Sequence, residues 1–280
     1  IMHQADIYQY KSYLFTIAYH MLGDIDAAED LVQDTFESWL QKDQEEVKQV
    51  KAYLSRILIN KAIDKLEQLK KQREAYTGLW LPQPLLLEQD QPEEYSLEYA
   101  VLFLLEKLNP YERAVFVLKE VFSLPHSQIA STLGITADNC RQLFHRAKDK
   151  LRAPTKQPKA QMEKQQELLD AFLQAVYEKN YSRLEEIFLQ DIVMYQDGGG
   201  KMSAALKPIA GGKKIIKFLE AVLELEPEAV FDVKPVWVNG TKGYIIYRNA
   251  LPDTIFTIEA TEDKINKLFF IRNPDKILLS

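Results

Sequence analysis

The chain has 280 residues, 46% of them hydrophobic, a length typical of two or three domains with their own cores rather than of one. Its single cysteine excludes a disulfide framework, and no secretory or membrane-spanning run is present, so we expect a cytoplasmic protein without a membrane partner. The net charge of −6 argues against tight DNA binding by the chain alone, because clustered cations supply most nonspecific affinity for nucleic acids.

The charges are segregated along the sequence. Acidic residues concentrate in 24–46, 88–98 and 220–228, whereas basic residues concentrate in 61–73 and 141–159. This distribution predicts modest DNA affinity that a partner supplements, with acidic faces left for protein contacts.

Two amphipathic helices are predicted first. Apolar residues at helical spacing extend from Asp6 to Leu22, and Gly23 ends this helix. The second helix begins at Asp24 or Asp26, since either is a good N-cap. Opposite its apolar face lies an acidic ridge, for which a solvated surface is the ordinary explanation: Asp30, Asp34 and Glu37.

A long third helix is predicted over Lys51 to Arg73. One face is apolar, and the other carries Arg56, Asn60, Lys61 and Lys65. The basic residues at its end are favoured by the helix macrodipole alone and prove little in isolation. Residues 74–95, with Gly78 and three prolines, predict an extended connector, because proline removes backbone donors and disfavours helix.

A helix-turn-helix is predicted in residues 127–152. A short helix, Ser127 to Leu133, is followed by Gly134 and by a longer helix with Thr136 as its N-cap. On that helix an apolar docking stripe, Cys140, Phe144, Ala147 and Leu151, runs beside a basic stripe, Arg141, His145, Lys148 and Arg152. Such a pair of stripes suits a helix that packs on a core and presents cations to DNA.

Residues 153–159 form a second linker, after which the pattern changes. Helices are predicted over Lys164–Lys179, Tyr181–Phe188 and Lys213–Leu225. Strands are predicted over Ile192–Gln196, Val230–Val238, Tyr244–Arg248, Thr254–Ala260 and Lys267–Arg272. This order indicates an α+β domain in which a meander of antiparallel strands wraps on helices.

The acidic helix DAAEDLVQDTFESWL, the helix KAYLSRILINKAIDKL and the distant segment ending HRAKDKLR together resemble bacterial sigma factors of the extracytoplasmic-function (ECF) group. The resemblance covers residues 6–73 and 97–152, about half of the chain. It implies two all-α sigma domains, a helical bundle (region 2) in 1–75 and the helix-turn-helix (region 4) in 97–152, joined by a linker in 76–96.

The resemblance also implies partners and site residues. RNA polymerase core, through its β′ and β subunits, would contact the second helix at Asp30, Leu31, Gln33, Asp34, Phe36 and Glu37. The minus-ten promoter element would be opened and read by Tyr53, Arg56, Asn60, Lys61 and Lys65, which supply the cations, amide and planar ring that unstacked bases require. The minus-thirty-five element would be read by Asn139, Arg141, Gln142, His145, Arg146 and Lys148. The 42–50 loop lacks the aromatic cluster of many relatives.

Three short motifs, WLPQPL in the linker, DGGGK at 197–201 and NPDKI at 273–277, resemble those of ECF sigma factors with a fused SnoaL-like C-terminal domain. The resemblance implies a SnoaL-like cone in 163–280, after a linker in 153–162, that regulates the sigma regions in cis. We expect a regulatory contact formed by the following residues: Trp80, Leu81, Pro82, Asp197, Gly198, Gly199, Gly200, Lys201, Asn273, Pro274, Asp275 and Lys276. Trp80 and Leu81 either pack on a neighbouring domain or thread towards the polymerase channel.

Neither catalysis nor a cofactor or metal is predicted. All four histidines precede the C-terminal domain, so an Asp/His acid–base pair cannot form inside it. A small ligand there is left open, because Tyr195, Trp237, Tyr244, Tyr247 and Phe256 either line a pocket or, more commonly for such residues, fill it.

Two other functions fit parts of the sequence. A one-component regulator would bind an operator through its helix-turn-helix and sense a metabolite, but it would not need the acidic helix at 24–40. An enzyme with a vestigial DNA-binding half would keep its activity without residues 1–160.

Overall fold

The computed structural model describes residues 7–41, 47–87, 97–152, 158–225 and 229–277. They form two compact units, one of residues 7–41, 47–75, Leu97 and 101–152, the other of 76–87, 98–100, 158–225 and 229–277. Parts of the predicted 42–50 loop and of both predicted linkers (42–46, 88–96 and 153–157) lie outside the described residues.

Three helices begin the first unit: α1, Lys11–Leu22; α2, Ile25–Leu40; and α3, Val50–Glu74. A 3-10 turn, Tyr8–Tyr10, occupies the start of the predicted first helix. Gly23 ends α1 with a left-handed φ of 69°, as predicted. Asp24, rather than Asp26, caps α2, because its carboxylate accepts a hydrogen bond of 2.8 Å from the Ala27 N–H.

Two short helices, α4 (Tyr99–Leu104) and α5 (Pro110–Phe116), lead to the helix-turn-helix. Asn109 and Glu112 form a reciprocal capping box at the start of α5, which continues into a π-helical turn. The helix-turn-helix then follows as predicted, with α6 over His126–Leu133 and α7 over Ala137–Leu151.

The turn between α6 and α7 has the predicted chemistry. Gly134 is left-handed, with a φ of 65°, and the Thr136 hydroxyl accepts a hydrogen bond of 3.1 Å from the Asn139 N–H.

The docking stripe of α7 differs from the prediction in one residue. Leu143 is buried in place of Phe144, which is half-buried and stacks on Phe116 with ring centroids 6.4 Å apart. Both residues lie on the apolar side of the helix, and Leu143 occupies the position that faces the core.

The second unit is a sheet with helices packed on one face. The helices are α8 (Lys159–Tyr177), α9 (Tyr181–Ile187) and α10 (Gly212–Leu225). The longer strands are β2 (Phe188–Asp197), β4 (Phe231–Val238), β5 (Thr241–Arg248), β6 (Leu251–Thr261) and β7 (Lys264–Ile271). Phe172 of α8 and Ile215 of α10 pack with Phe256 and Leu268 of the sheet in one core. The predicted fold class, helical domains followed by an α+β SnoaL-like cone, is confirmed.

The sheet order is β1-β4-β5-β6-β7-β2-β3, which includes two short strands, β1 (Leu86–Leu87) and β3 (Ile209–Ala210). Strands β4 to β7 form the predicted antiparallel meander. The prediction was wrong for β2, which pairs parallel to β7, with Met194 opposite Leu268. Helix α10 separates β2 from the meander in the chain, and β2 joins the sheet beside the last strand, so the sheet is mixed.

The predicted extended connector contributes to this sheet. Leu86 pairs with Val238 and Leu87 with Trp237, so β1 adds an antiparallel edge strand beside β4. Asn239 fixes the register, because its side-chain oxygen accepts from the Leu85 N–H at 3.0 Å and its N–H donates to the Leu85 carbonyl at 2.9 Å.

Candidate functional site

The polar face of α2 is a solvent-exposed ridge formed by Asp30, Gln33, Asp34 and Glu37, which we call the acidic ridge. Gln33 donates a hydrogen bond of 3.2 Å to Glu37 across one helical turn. Leu31 and Phe36, predicted at the same contact, are instead 5% and 6% exposed and belong to the core. They lie on the inner face of the helix, so four of the six residues predicted at this contact, the polar ones, are at the surface.

The predicted DNA face of α3 is partly exposed. Arg56 and Asn60 are exposed one helical turn apart, while Lys61 and Lys65 are half-buried. The ammonium of Lys61 donates to the Asp34 carbonyl at 3.0 Å, which ties this face to α2. The Tyr53 ring is half-buried and meets Trp39 edge-on, with centroids 5.7 Å apart.

The outer face of α7 presents all six residues predicted to read DNA. Each of them is exposed: Asn139, Arg141, Gln142, His145, Arg146 and Lys148. Two belong to surface ion pairs, Arg141 with Asp138 and Lys148 with Glu120 at 3.2 Å, and His145 lies 2.9 Å from Asp149. Such exposed pairs contribute only about 0–1 kcal/mol each, so DNA phosphates can replace them at little cost.

A buried polar cluster, not predicted from the sequence, joins region 2 to region 4 inside the first unit. The fully buried Arg113 of α5 donates to Glu106 at 2.5 Å and to the His20 carbonyl at 2.8 Å. Arg73 of α3 donates to the other Glu106 oxygen at 2.7 Å. Burial alone would raise the pKa of Glu106, but Arg113 and Arg73 hold it below its ordinary value. We call Glu106, Arg113 and Arg73 the interregion cluster.

His20 beside this cluster gives the first unit a predicted pH dependence. Burial and the neighbouring Arg113 lower its pKa to about 3 from 6.5. Unfolded His20 therefore takes up a proton as the pH falls through 6.5, whereas folded His20 stays neutral, so its contribution is complete above pH 6.5 and falls below it.

Between pH 7 and pH 5 this linkage removes about 2 kcal/mol from the free energy of unfolding. His20→Gln cannot titrate and is expected to lose about 2 kcal/mol less than the wild type over the same interval. Urea unfolding of both proteins at the two pH values measures the difference. Equal losses would contradict the assignment.

Residues of the linker motif and of the two C-terminal motifs meet around Asp197, which is completely buried. Its carboxylate accepts from the Tyr76 hydroxyl at 2.6 Å, the Leu81 N–H at 2.9 Å and the Lys276 ammonium at 2.6 Å. Asn273 donates to the Tyr76 oxygen at 2.9 Å. We call Tyr76, Leu81, Asp197, Asn273 and Lys276 the linker clamp.

Lys276 is the cation of the linker clamp and is only 6% exposed. Besides Asp197 it bonds the Leu81 carbonyl at 2.5 Å, and it lies 4.3 Å from the centre of the Trp80 ring. Burial and the adjacent Asp197 raise the pKa of the Tyr76 hydroxyl, so this proton stays in place as a donor. A buried ion pair with every partner satisfied holds residues 76–81 against the ends of β2 and β7.

The glycines of DGGGK allow the close approach of NPDKI. Gly199 has a φ of 63°, and a β-carbon there would collide with the Asn273 side chain. Lys201 and Asp275 form a second pair, at 2.6 Å, but both side chains are more than half exposed. Pro274 begins a 3-10 turn, Pro274–Lys276, that follows Asn273 directly.

Two tyrosines of the linker contact were missed. Tyr76 is part of the linker clamp, and the Tyr99 hydroxyl donates to the Pro82 carbonyl at 2.7 Å. Neither residue lies in a recognised motif. For Tyr76, the sequence offered a single indication of a role in the linker contact, its position between the basic end of a helix and a proline-rich stretch.

The cone contains an open cavity of about 890 Å³. Tyr244 and Phe256 line it, whereas Tyr195, Trp237 and Tyr247 are not among its lining residues. Of the two alternatives left open for these aromatic residues, lining a pocket applies to Tyr244 and Phe256. None of the helices in the described ranges has both the length and the hydropathy of a membrane-spanning segment. In the same residues, no three His, Cys, Asp or Glu side chains are grouped to hold a metal ion.

Comparisons with known proteins match this organisation. Residues 7–73 match the family "Sigma-70 region 2" and residues 99–151 the family "Sigma-70, region 4". The ECF RNA polymerase sigma factor SigJ of Mycobacterium tuberculosis is 27% identical over 95% of this chain and 90% of that protein. A probable ECF sigma factor of the same species, SigI, is 34% identical over 51% of each protein.

A solved structure is similar over nearly the whole chain. The crystal structure of the Mycobacterium tuberculosis extracytoplasmic function sigma factor SigJ matches with a TM-score of 0.78 and 25% identity, and the match covers 98% of both chains. Both sigma regions and the C-terminal cone therefore have counterparts in one known protein.

Proposed function

Since the chain belongs to the ECF group of sigma factors and carries a SnoaL-like C-terminal domain, we propose that it directs RNA polymerase core to specific promoters, opens them, and is modulated in cis by that domain. The observation that carries this proposal is the presence in one chain of regions 2 and 4, each with its predicted contact face exposed. The protein acts by binding and strand opening rather than by covalent chemistry.

The acidic ridge is the proposed contact with the polymerase core. Its four polar side chains are exposed on a helix that Asp24 caps and whose other face is buried, so the ridge is rigidly presented. A protein that binds an operator by itself does not need such a protein-binding surface, whereas a factor whose DNA affinity depends on polymerase does. We propose that this ridge contacts the β′ subunit. Contacts with the β subunit are assigned to surfaces of region 4 other than its DNA face.

Promoter reading is assigned to α3 and α7. Arg56 and Asn60 supply the cation and the amide for unpaired bases of the minus-ten element, and the outer face of α7 enters the major groove at the minus-thirty-five element. Residues 42–46, which precede α3, lie outside the described residues.

Arg141→Ala is expected to weaken promoter binding by about 1–3 kcal/mol. If Arg141 contacts a base edge, the loss occurs at one promoter position; if it contacts phosphate, all sequences weaken alike. Competition binding of the holoenzyme to a set of single-base promoter variants distinguishes the two.

The matched control for this substitution is Arg183→Ala in the cone. Like Arg141, Arg183 is exposed and pairs with an acid three residues away on its helix. It should leave promoter affinity unchanged. A loss for Arg141→Ala no larger than for this control would remove α7 from the interface.

Modulation in cis is assigned to the linker clamp. The clamp fixes residues 76–81, and β1 fixes 86–87, on the cone, so the cone holds the described part of the linker between the two sigma regions. A linker held in this way restricts how far region 4 can move from region 2, which is the physical basis we propose for regulation.

A ligand-responsive one-component regulator remains the second candidate, because the cone has an open cavity. Fluorescence anisotropy with labelled promoter duplex separates the two functions. We expect weak binding by the purified chain and tight, sequence-dependent binding after core polymerase is added. Tight specific binding by the chain alone would favour the regulator.

A further inference from the structure

At one end of the cavity in the cone, polar side chains have hydrogen-bond donors that are not used within the protein. Gln196 is 6% exposed and lines the cavity, and its side-chain oxygen accepts from the Ala205 N–H at 2.7 Å. That bond fixes the orientation of the amide, because a backbone N–H must face oxygen. Within the described part of the chain the Gln196 Nε2 group has no acceptor, so an amide donor on a side chain that lines the cavity is left for a ligand.

The neighbouring arginines supply further hydrogen-bond donors, and they occupy the oxygens of the neighbouring carboxylate. The Asp253 carboxylate is engaged by the Thr254 hydroxyl at 2.6 Å, by Arg272 at 3.0–3.2 Å and by Arg248 at 3.2 Å. Arg272 uses its Nη1 for the Ser203 carbonyl and its Nε and Nη2 for Asp253, which does not engage all five of its N–H groups. Burial would raise the pKa of Asp253, but Thr254 and the two arginines lower it, so the carboxylate stays ionised and occupied.

Most of the remaining lining is apolar, although Gln174 and Lys179 also belong to it, and the cavity opens to solvent. Its walls include Phe172, Val176, Phe218, Phe256 and Phe270. Five of the eleven large exposed apolar side chains of the described residues also line it: Tyr177, Val222, Leu225, Phe231 and Val233. An apolar rim of this kind is costly in water and marks a binding surface.

We propose that the cone binds an amphipathic monocarboxylate, with its apolar body between the sheet and helices α8 and α10 and its carboxylate at Gln196 Nε2 and the Arg272 guanidinium. The cavity volume of about 890 Å³ accommodates a drug-sized molecule. A cationic head would meet two arginines, and a wholly apolar ligand would leave the Gln196 amide unpaired.

The head-group site is adjacent to the linker clamp. Gln196 and Asp197 are consecutive on β2, and successive side chains of a strand point to opposite faces, so one faces the cavity and the other the linker. Arg272 and Asn273 follow the same pattern after β7. A bound carboxylate orders both strand ends and stabilises the linker clamp. This regulatory consequence rests on the proposed function, whereas binding itself does not.

Isothermal titration of the full chain with sodium decanoate, and separately with 1-decanol, tests the binding. We expect saturable one-to-one binding of decanoate and about tenfold weaker binding of decanol, since a hydrogen-bonded charged head contributes about that factor. Gln196→Leu should weaken decanoate about tenfold and leave decanol unchanged. Val222→Trp, at a wall position that is 42% exposed, should abolish binding of both without unfolding the chain.

Thermal unfolding of each variant checks that it is folded. No saturable decanoate binding, equal affinity for decanoate and decanol, or full binding to Val222→Trp would each overturn the proposal. Hydrogen exchange at residues 76–87 should slow with decanoate in the wild type and not in Val222→Trp; unchanged exchange would overturn the coupling. None of these measurements needs polymerase, so a failure of the ligand proposal can be distinguished from a failure of the sigma-factor assignment.

Discussion

Asp197→Ala is expected to release the linker from the cone and to lower the free energy of unfolding of the second unit by about 3–5 kcal/mol. The substitution leaves the ammonium of Lys276, only 6% exposed, without its carboxylate. It also removes the acceptor of the Tyr76 hydroxyl and of the Leu81 N–H. Urea unfolding gives the energy, and hydrogen exchange over 76–87 shows whether the linker has been released.

Lys201→Ala is the matched control for that experiment. Lys201 lies in the same motif and pairs with Asp275, but its side chain is 56% exposed, so its loss should cost about 0–1 kcal/mol. Similar effects of the two substitutions would show that the buried pair does not hold the linker. In transcription assays we expect Asp197→Ala, and not Lys201→Ala, to change promoter output.

The second large effect is expected for Glu106→Ala in the interregion cluster. Without this carboxylate, Arg113, which is fully buried, and Arg73 become uncompensated charges next to each other, at a cost of about 3–5 kcal/mol. Unfolding of the wild type and the variant in urea measures the loss. Asp149→Ala, which removes only the exposed partner of His145, should change stability by less than about 1 kcal/mol, and a comparable loss would contradict the role of the cluster.

This cluster also bears on how the protein engages a promoter. Elements named for positions ten and thirty-five are about 25 base pairs apart, or about 85 Å along the duplex. The helices assigned to them, α3 and α7, belong to one compact unit, and a unit of this size has a radius of gyration of only about 13 Å. On this assignment, we expect regions 2 and 4 to separate when the protein occupies a promoter. Energy transfer between labels on α2 and α7 should fall in Glu106→Ala and in wild-type holoenzyme.

Local signals in the sequence predict much of the fold. Asp24, Gly134 and Thr136 cap helices by their own chemistry with neighbours three or four residues away, so the ends of α2, α6 and α7 follow from the sequence. The exposed faces of α2 and α7 follow from periodicity. The same periodicity places Leu31 and Phe36 on the apolar face, and the structure buries them there; their proposed contact with polymerase came only from the resemblance.

Distant partners could not be predicted. Glu106, Arg113 and Arg73 each resemble ordinary surface charges on helices, and only the packing of α3 against α5 buries them together. The parallel pairing of β2 with β7 has the same cause, since alternation within a strand gives its faces but not its neighbour. The cavity is likewise a property of the packing, because an aromatic side chain can line a space or fill it.

Run-off transcription with purified bacterial core polymerase tests the account most directly. We predict that the full chain plus core gives transcripts from its own promoters, that neither component does so alone, and that reversing the charge of the acidic ridge at Asp34 and Glu37 abolishes both core binding and transcription. A chain that neither binds core polymerase nor supports any promoter-specific transcript would contradict the account.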